Sequence, residues 1–416
     1  VRKARQINKN YVFWAGLVLC TIYQSYRYPL QVSSAGTSPT YTDTPFVLQA
    51  GKFVLAVPLI VLAAVRWLSN SARIPRWPIV FGTLFLSIFS LLKILNGQDS
   101  QYLDVSFWMI FSLVLVLSID SISIAAIDKY FSFVLVYALG STIVQVFLFL
   151  AFGRLPALAF EGSYLVRFGG FLDDPNGFAA ICFLLLGWSF KKFAGWPRRL
   201  VVAGLFAALL LTQSWTALAF FAAASTFAFL IIAWRRPVAA ALTISALPLL
   251  AILIFNWIPK LREGFLFEML EAKQESIEGH MFPWAVWASK WTDWVVLGEW
   301  KYNPYESWWA SSMINFGLAW LCVYFALLTA LLIYVLRAFT RARPEYRAVY
   351  SGVLLFSIYF VFGSLNLPFP IIFPINALFF LFCFLVAFGK ISAPDRAEAP
   401  SADPPRMPTL FEAATE

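Results

Sequence analysis

One histidine, His280, is all that this 416-residue sequence contains, which excludes a multi-histidine metal centre. Charge is scarce as well. Asp, Glu, Lys and Arg make up 13% of the residues, about half the share found in soluble domains. The four cysteines (Cys20, Cys182, Cys322 and Cys383) lie far apart in apolar stretches without C-x-x-C spacing. That arrangement excludes a zinc ribbon or a dithiol motif, and each reads as a small core hydrophobe. No repeat of fixed period is present, which excludes a solenoid. Strict apolar–polar alternation is also missing, so the chain is not a transmembrane β-barrel.

What is abundant is apolar surface. Hydrophobic residues make up 61% of the chain, in continuous runs of about twenty, each long enough for a hydrocarbon core about 30 Å thick. The reading is an all-α polytopic integral membrane protein with about twelve transmembrane helices. The expected spans run over about 11–26, 46–68, 77–95, 105–122, 131–152 and 177–190. The run 200–234 is too long for one crossing and divides at LTQSWT. Further spans follow at about 239–257, 311–336, 348–365 and 371–388. The first has no small-residue cleavage site behind it and reads as a signal anchor.

Positive charge gathers between the runs, at VRKARQINKN and around 73–76, 191–199, 235–236 and 337–347. The net charge of +9 is therefore a topology signal and implies no nucleic-acid partner. With the leader inside, all these clusters fall inside, and 153–176 and the long segment 258–310, between spans nine and ten, fall outside. Both termini are then cytoplasmic. Residues 1–389 form the membrane domain, and the Pro- and Ala-rich 390–416 reads as a disordered cytoplasmic tail.

Chemistry is expected in the two external segments. RFGGFLDDPNG, at 167–177, places an arginine, paired glycines and paired aspartates at the mouth of a span. The planar guanidinium of Arg167, with Arg154 in support, suits a lipid-linked phosphate. The glycines let backbone approach a ligand, and Asp174-Pro175-Asn176-Gly177 can cap a helix. The plain alternative is a salt bridge from Arg167 to Asp173 or Asp174. A metal at the paired aspartates has no third carboxylate or histidine nearby in sequence beyond Glu161, so no metal is assigned. The long segment starts with a charged, helix-like LREGFLFEMLEAKQESIEGH, suited to the interface. It ends in a tryptophan-dense stretch holding Trp284, Trp287, Trp291 and Trp308. These read either as a membrane-interface belt or as platforms on which sugar rings stack. His280 and Glu306 are polar candidates there, with a structural histidine and a helix-start carboxylate as the plain alternatives.

Three stretches resemble the bacterial O-antigen polymerase and O-antigen ligase superfamily. RFGGFLDDPNGFA is similar to its arginine, glycines and Pro-Asn pair leading into a helix. LLLTQSWTAL resembles its Thr-x-Ser turn, and GHMFPWAVWASKWTDWVVLGEW with ESWWASSMINFGLAWL resembles its Gly-Arg-x-x-x-Trp segment and following span. His280 stands where the family's second external arginine aligns, and Glu306 where ligases carry a histidine. The second departure favours a polymerase.

The resemblance implies a metal-independent, inverting glycosyltransferase of the bacterial inner membrane, with its site facing the periplasm and no cofactor. The donor would be a polyprenyl-diphosphate-linked oligosaccharide, polymerised into O-antigen or exopolysaccharide. Arg167 and Arg154 would bind the diphosphate. Glu306 would be the base, with His280 as base or phosphate contact, and Trp284, Trp287, Trp291 and Trp308 would hold glycan. A flippase and a chain-length regulator of the same pathway are the implied partners. A ligase transferring glycan to lipid A core is the nearest alternative, and a transporter the alternative of a different class.

Overall fold

The computed structural model describes residues 10–26, 46–69, 76–96, 102–152, 168–172, 174–235, 281–282, 284–286, 288, 298 and 307–392. Among these are eleven α-helices. In chain order they are α1 (Tyr11–Ile22), α2 (Phe46–Ser69), α3 (Trp77–Leu95), α4 (Tyr102–Leu117) and α5 (Ile124–Phe152). Then come α6 (Pro175–Lys192), α7 (Gly195–Thr212), α8 (Trp215–Arg235), α9 (Trp308–Arg341), α10 (Pro344–Gly363) and α11 (Ile375–Ala387). Two-residue strands β1 (Ile122–Ser123) and β2 (Ile391–Ser392) pair in parallel.

Six helices, in α2, α3, α5, α7, α9 and α10, are long and apolar enough to cross a membrane, and shorter apolar helices lie in α1, α4, α8 and α11. The chain is an all-α membrane protein. Its outer surface carries large apolar side chains: Val54, Val57, Val61 and Leu68 on α2 and Val136, Ile143 and Phe147 on α5 are all exposed. Water would not tolerate such faces, and lipid does. Cys322 is on the outer surface rather than in the core, unlike Cys20, Cys182 and Cys383.

Helix α6 is buried from Gly177 to Ser189, and α11 over its whole length. Helices α6 and α10 cross at backbone contact. A Cβ on Gly187 would lie 2.5 Å from the Ser351 carbonyl oxygen, and one on Gly352 would lie 2.7 Å from that of Leu184. Between membrane helices attraction comes mainly from van der Waals packing, which small residues bring to full strength. Aromatic pairs fill the remainder, such as Phe360 stacked on Phe379 at 3.9 Å and Phe131 edge-on to Phe382. Each is worth about 0.5–1.5 kcal/mol beyond the area it buries.

Two of the boundaries that differ from the sequence reading have identifiable causes. Helix α4 ends at Leu117 instead of near 122, because Ile122 N–H donates to the Lys390 carbonyl at 2.7 Å. The Lys390 ammonium in turn donates to Ile119 O at 2.6 Å. Burial pushes that ammonium down from its usual value, while the Asp120 carboxylate opposes the shift. Helix α5 begins at Ile124, so Asp128 and Lys129 lie inside it. Asp128 is accommodated there by the Trp188 indole N–H at 2.8 Å and by an ion pair with Lys192. The expected span at 239–257 lies outside the described residues.

Helix α9 has 34 residues, about 51 Å at 1.5 Å per residue, far more than a bilayer core needs. It is broken at Gly317, whose φ of 81° and ψ of 176° are not helical. Residues from Trp308 to Gly317 are all buried, so this first part is packed into one end of the bundle.

Candidate functional site

The three stretches that carried the resemblance come to the same end of the bundle. Asp174 caps α6, its two carboxylate oxygens accepting from Asn176 N and Gly177 N at 3.0 Å each. Pro175 takes the first helical position, where a missing N–H costs nothing. Before the cap, Leu172 N–H returns to Gly169 O and Gly170 N–H donates to the buried Gln145 side chain at 2.9 Å. Gly170 has φ of 58°, and a Cβ there would lie 2.1 Å from the Phe178 ring. This glycine therefore serves close packing on Phe178 instead of ligand approach.

The second stretch joins the first directly. Phe168 N–H donates to Leu211 O at 3.0 Å. Gln213, in the left-handed region at φ 47°, ends α7, and the Ser214 hydroxyl accepts from Ala217 N to start α8. The break expected at LTQSWT is found there.

The third stretch begins α9. The Ser307 hydroxyl donates to Leu365 O at 2.6 Å, fastening the helix start to the connection 364–374. On another side of that connection, a Cβ on Gly177 would touch Ile375 at 3.1 Å. Asn376 and Gln24 donate to Pro370 O and Phe373 O, holding the same connection from α11 and from the turn after α1. Gly298, at φ 67°, is seated on the break in α9, where its Cβ would meet Asn315 and Gly317 backbone at 2.6–2.7 Å.

Of the candidate residues, Arg154, Arg167, His280, Trp287, Trp291 and Glu306 lie outside the described set. Trp308 is fully enclosed, edge-on to Trp320 and Tyr324 at 6.0 Å each. A ring without an accessible face offers no platform for a sugar, so Trp308 is a packing residue in this structure. Trp284 is half-buried against the bundle. With Trp309 it lines an apolar groove of about 560 Å³ between α9 and α10, which continues past Leu321 and Phe325 to Leu332 and Ile358.

Two cations at this end were not singled out from the sequence. Lys52 pairs with Asp104 at 2.8 Å, and Asp104 also accepts from the Trp108 indole. Lys93, in the last turn of α3, is only 2% exposed. Among the described residues these are the only cations at this end. The others, from Arg66 through Arg347 to Lys390, collect at the opposite end. A lysine inside an apolar run was the available signal for both, since such residues are costly there and rarely idle. Neither a protein-family model nor a curated protein matches this chain.

Proposed function

We propose that the protein is a polysaccharide polymerase that extends polyprenyl-diphosphate-linked oligosaccharides at the periplasmic face of a bacterial inner membrane. The supporting observation is the convergence of three separated polar stretches on one end of the bundle, tied by Phe168 to Leu211 and by Ser307 to Leu365. That end is poor in described cations, as the positive-inside rule asks of an external face. In this reading the bundle has about twelve spans, with both termini in the cytoplasm.

The acceptor hydroxyl oxygen attacks the anomeric carbon of the donor sugar, and its proton passes to the Glu306 carboxylate or to His280. The bond from that carbon to the diphosphate breaks, the electron pair leaves with the diphosphate, and the anomeric configuration inverts. Arg167 and Arg154 stabilise the charge that develops on the departing group. No metal and no nucleotide sugar takes part. Trp284, Trp287 and Trp291 supply ring faces for the glycan. The groove between α9 and α10, about 560 Å³ and lined by apolar side chains, suits the isoprenoid tail.

Purified protein given a lipid-diphosphate-linked repeat unit should yield a ladder of longer lipid-linked glycans. Transfer to lipid A core without lengthening would establish a ligase instead. Movement of the intact lipid-linked unit across a vesicle membrane, with no new glycosidic bond, would establish a transporter.

A further inference from the structure

At the end of the bundle opposite the candidate site, a pocket of about 440 Å³ opens between α6, α7 and α10. Gly187 and Ser351, which meet where α6 and α10 cross, both line it. Two cations line it as well, Lys191 in the last turn of α6 and Arg198 near the start of α7. The two-residue connection 193–194 joins those helices, so both charges come to one place from different elements. The remaining wall is apolar and includes the exposed side chains of Phe190 and Ile358, so the pocket opens onto the lipid-facing surface. Trp196, in the first turn of α7 and 65% exposed, is the kind of ring that sits at the level of lipid head groups.

The positive charge in this pocket is not neutralised by the described residues. Lys192 is paired with Asp128, but its neighbour Lys191 and Arg198 have no ion-pair partner among them. The described acids at this end are Asp120, Asp128 and Glu345, and none of the three lines the pocket. Helix α7 adds the positive end of its own dipole, since Ala194 has no capping side chain and the first turn holds no acid. We propose that the pocket binds an acidic phospholipid, with its phosphate between Lys191 and Arg198 and an acyl chain along Leu354, Leu355 and Ile358. Both parts of the ligand are needed. A soluble anion would leave the apolar wall bare, and a neutral lipid would leave the two cations uncompensated. The Arg198 guanidinium can donate two parallel hydrogen bonds to phosphate oxygens, and the Lys191 ammonium adds a point charge. Leu354 and Ile358 are one turn apart on α10, so they form a strip along the helix for the chain to follow. Ile358 also lines the groove between α9 and α10, so the lipid tail would end where that groove begins. Basic pockets between membrane helices are suited to acidic head groups in this way. The site is independent of the polymerase reading and requires only that the bundle lie in a membrane.

The test uses the full chain in a neutral detergent, titrated with phosphatidylglycerol and read by native mass spectrometry. The acidic lipid should be retained at concentrations where phosphatidylcholine is lost. A hydrogen bond to a charged group is worth about tenfold in affinity or more, so Lys191→Gln with Arg198→Gln should weaken retention by about a hundredfold. Lys129→Gln with Arg199→Gln removes the same charge from exposed positions at the same end but outside the pocket, and should leave most of the binding. Glycerol 3-phosphate, a head group without tails, should not displace the lipid. Equal weakening in the two double variants would mean diffuse attraction to a basic face and would overturn the site. Equal retention of phosphatidylcholine would overturn it too, because the charge would not be read. Displacement by glycerol 3-phosphate at matching concentration would identify a free phosphate as the ligand and overturn the lipid assignment.

Discussion

Phe168 donates its backbone N–H to the carbonyl of Leu211 at 3.0 Å, fixing the turn before α6 to the last turn of α7. The acceptor is one of the carbonyls that every helix leaves unpaired at its C-terminus, so the contact satisfies the backbone needs of both segments at once. It also sets the residue after Arg167 in a fixed place at the end of the bundle.

The Asp174 cap is the next support of that turn. Asp174→Ala should lower stability by about 0.5–2 kcal/mol, and Asp174→Asn by much less, since asparagine also accepts from the second and third helical N–H groups. Thermal unfolding in detergent checks the order. If Asp174 were needed as a metal ligand, Asp174→Asn would instead abolish activity at unchanged stability.

The crossing of α6 and α10 makes a sharper demand. Gly352→Ala sets a methyl against backbone and should cost about 1–3 kcal/mol, because neither Leu184 O nor the Trp188 main chain can turn aside. Gly82→Ala in α3 and Gly140→Ala in α5 meet nothing within 4 Å. Those two should be neutral or stabilising by up to about 1 kcal/mol. Melting temperatures of the three variants provide the test.

Glu306→Gln keeps shape and hydrogen bonding but removes basicity, so elongation should fall by about a hundred- to ten-thousand-fold while donor binding persists. His280→Ala should be milder if the histidine contacts phosphate, and equally severe if it is the base. Near-normal elongation by Glu306→Gln would pass the base role to His280.

For Arg167, Ala should abolish transfer and Lys should restore little, because an ammonium cannot make two parallel hydrogen bonds to phosphate. Activity should survive exhaustive EDTA. Normal transfer by Arg167→Ala at normal expression would remove the arginine from its role, and strict dependence on added Mg²⁺ or Mn²⁺ would revive a metal at Asp173 and Asp174.

The opposite faces of the bundle give a topological test. A reporter fused at residue 290 should be active outside the cytoplasm, and one fused after residue 392 inside it. Residue 290 labelled from the cytoplasm would dismantle the external site.

Local signals account for what could be read from the sequence. The bounds of α3 were legible because Trp77-Pro78 and Asn96-Gly97 punctuate an otherwise apolar run. The turn between α7 and α8 was legible because Ser214 is a cap. What escaped depends on partners distant in sequence. Asp128 read as a connection residue, and only Lys192 and Trp188 from α6 make it acceptable inside α5. The end of α4 is set by Lys390, and Lys93 is buried although it lies in the last turn of α3. Trp308 read as an interfacial or glycan-stacking ring, and it is enclosed against Trp320 and Tyr324. Single-sequence periodicity contains none of these pairings.

The glycine crossing also bears on how the protein is made. Helix α6 is buried from Gly177 to Ser189, yet it is not among the six that are apolar enough to span by themselves. Its partner α10 is translated long afterwards, because α7, α8, the segment 236–306 and α9 come between them. A nascent chain folds from its N-terminus, so α6 must wait in the membrane beside its earlier neighbours with the flat strip around Gly187 uncovered. Arrival of α10 is then the step that covers this strip, and a ribosome stalled before Pro344 should leave a chain that degradation machinery can still extract.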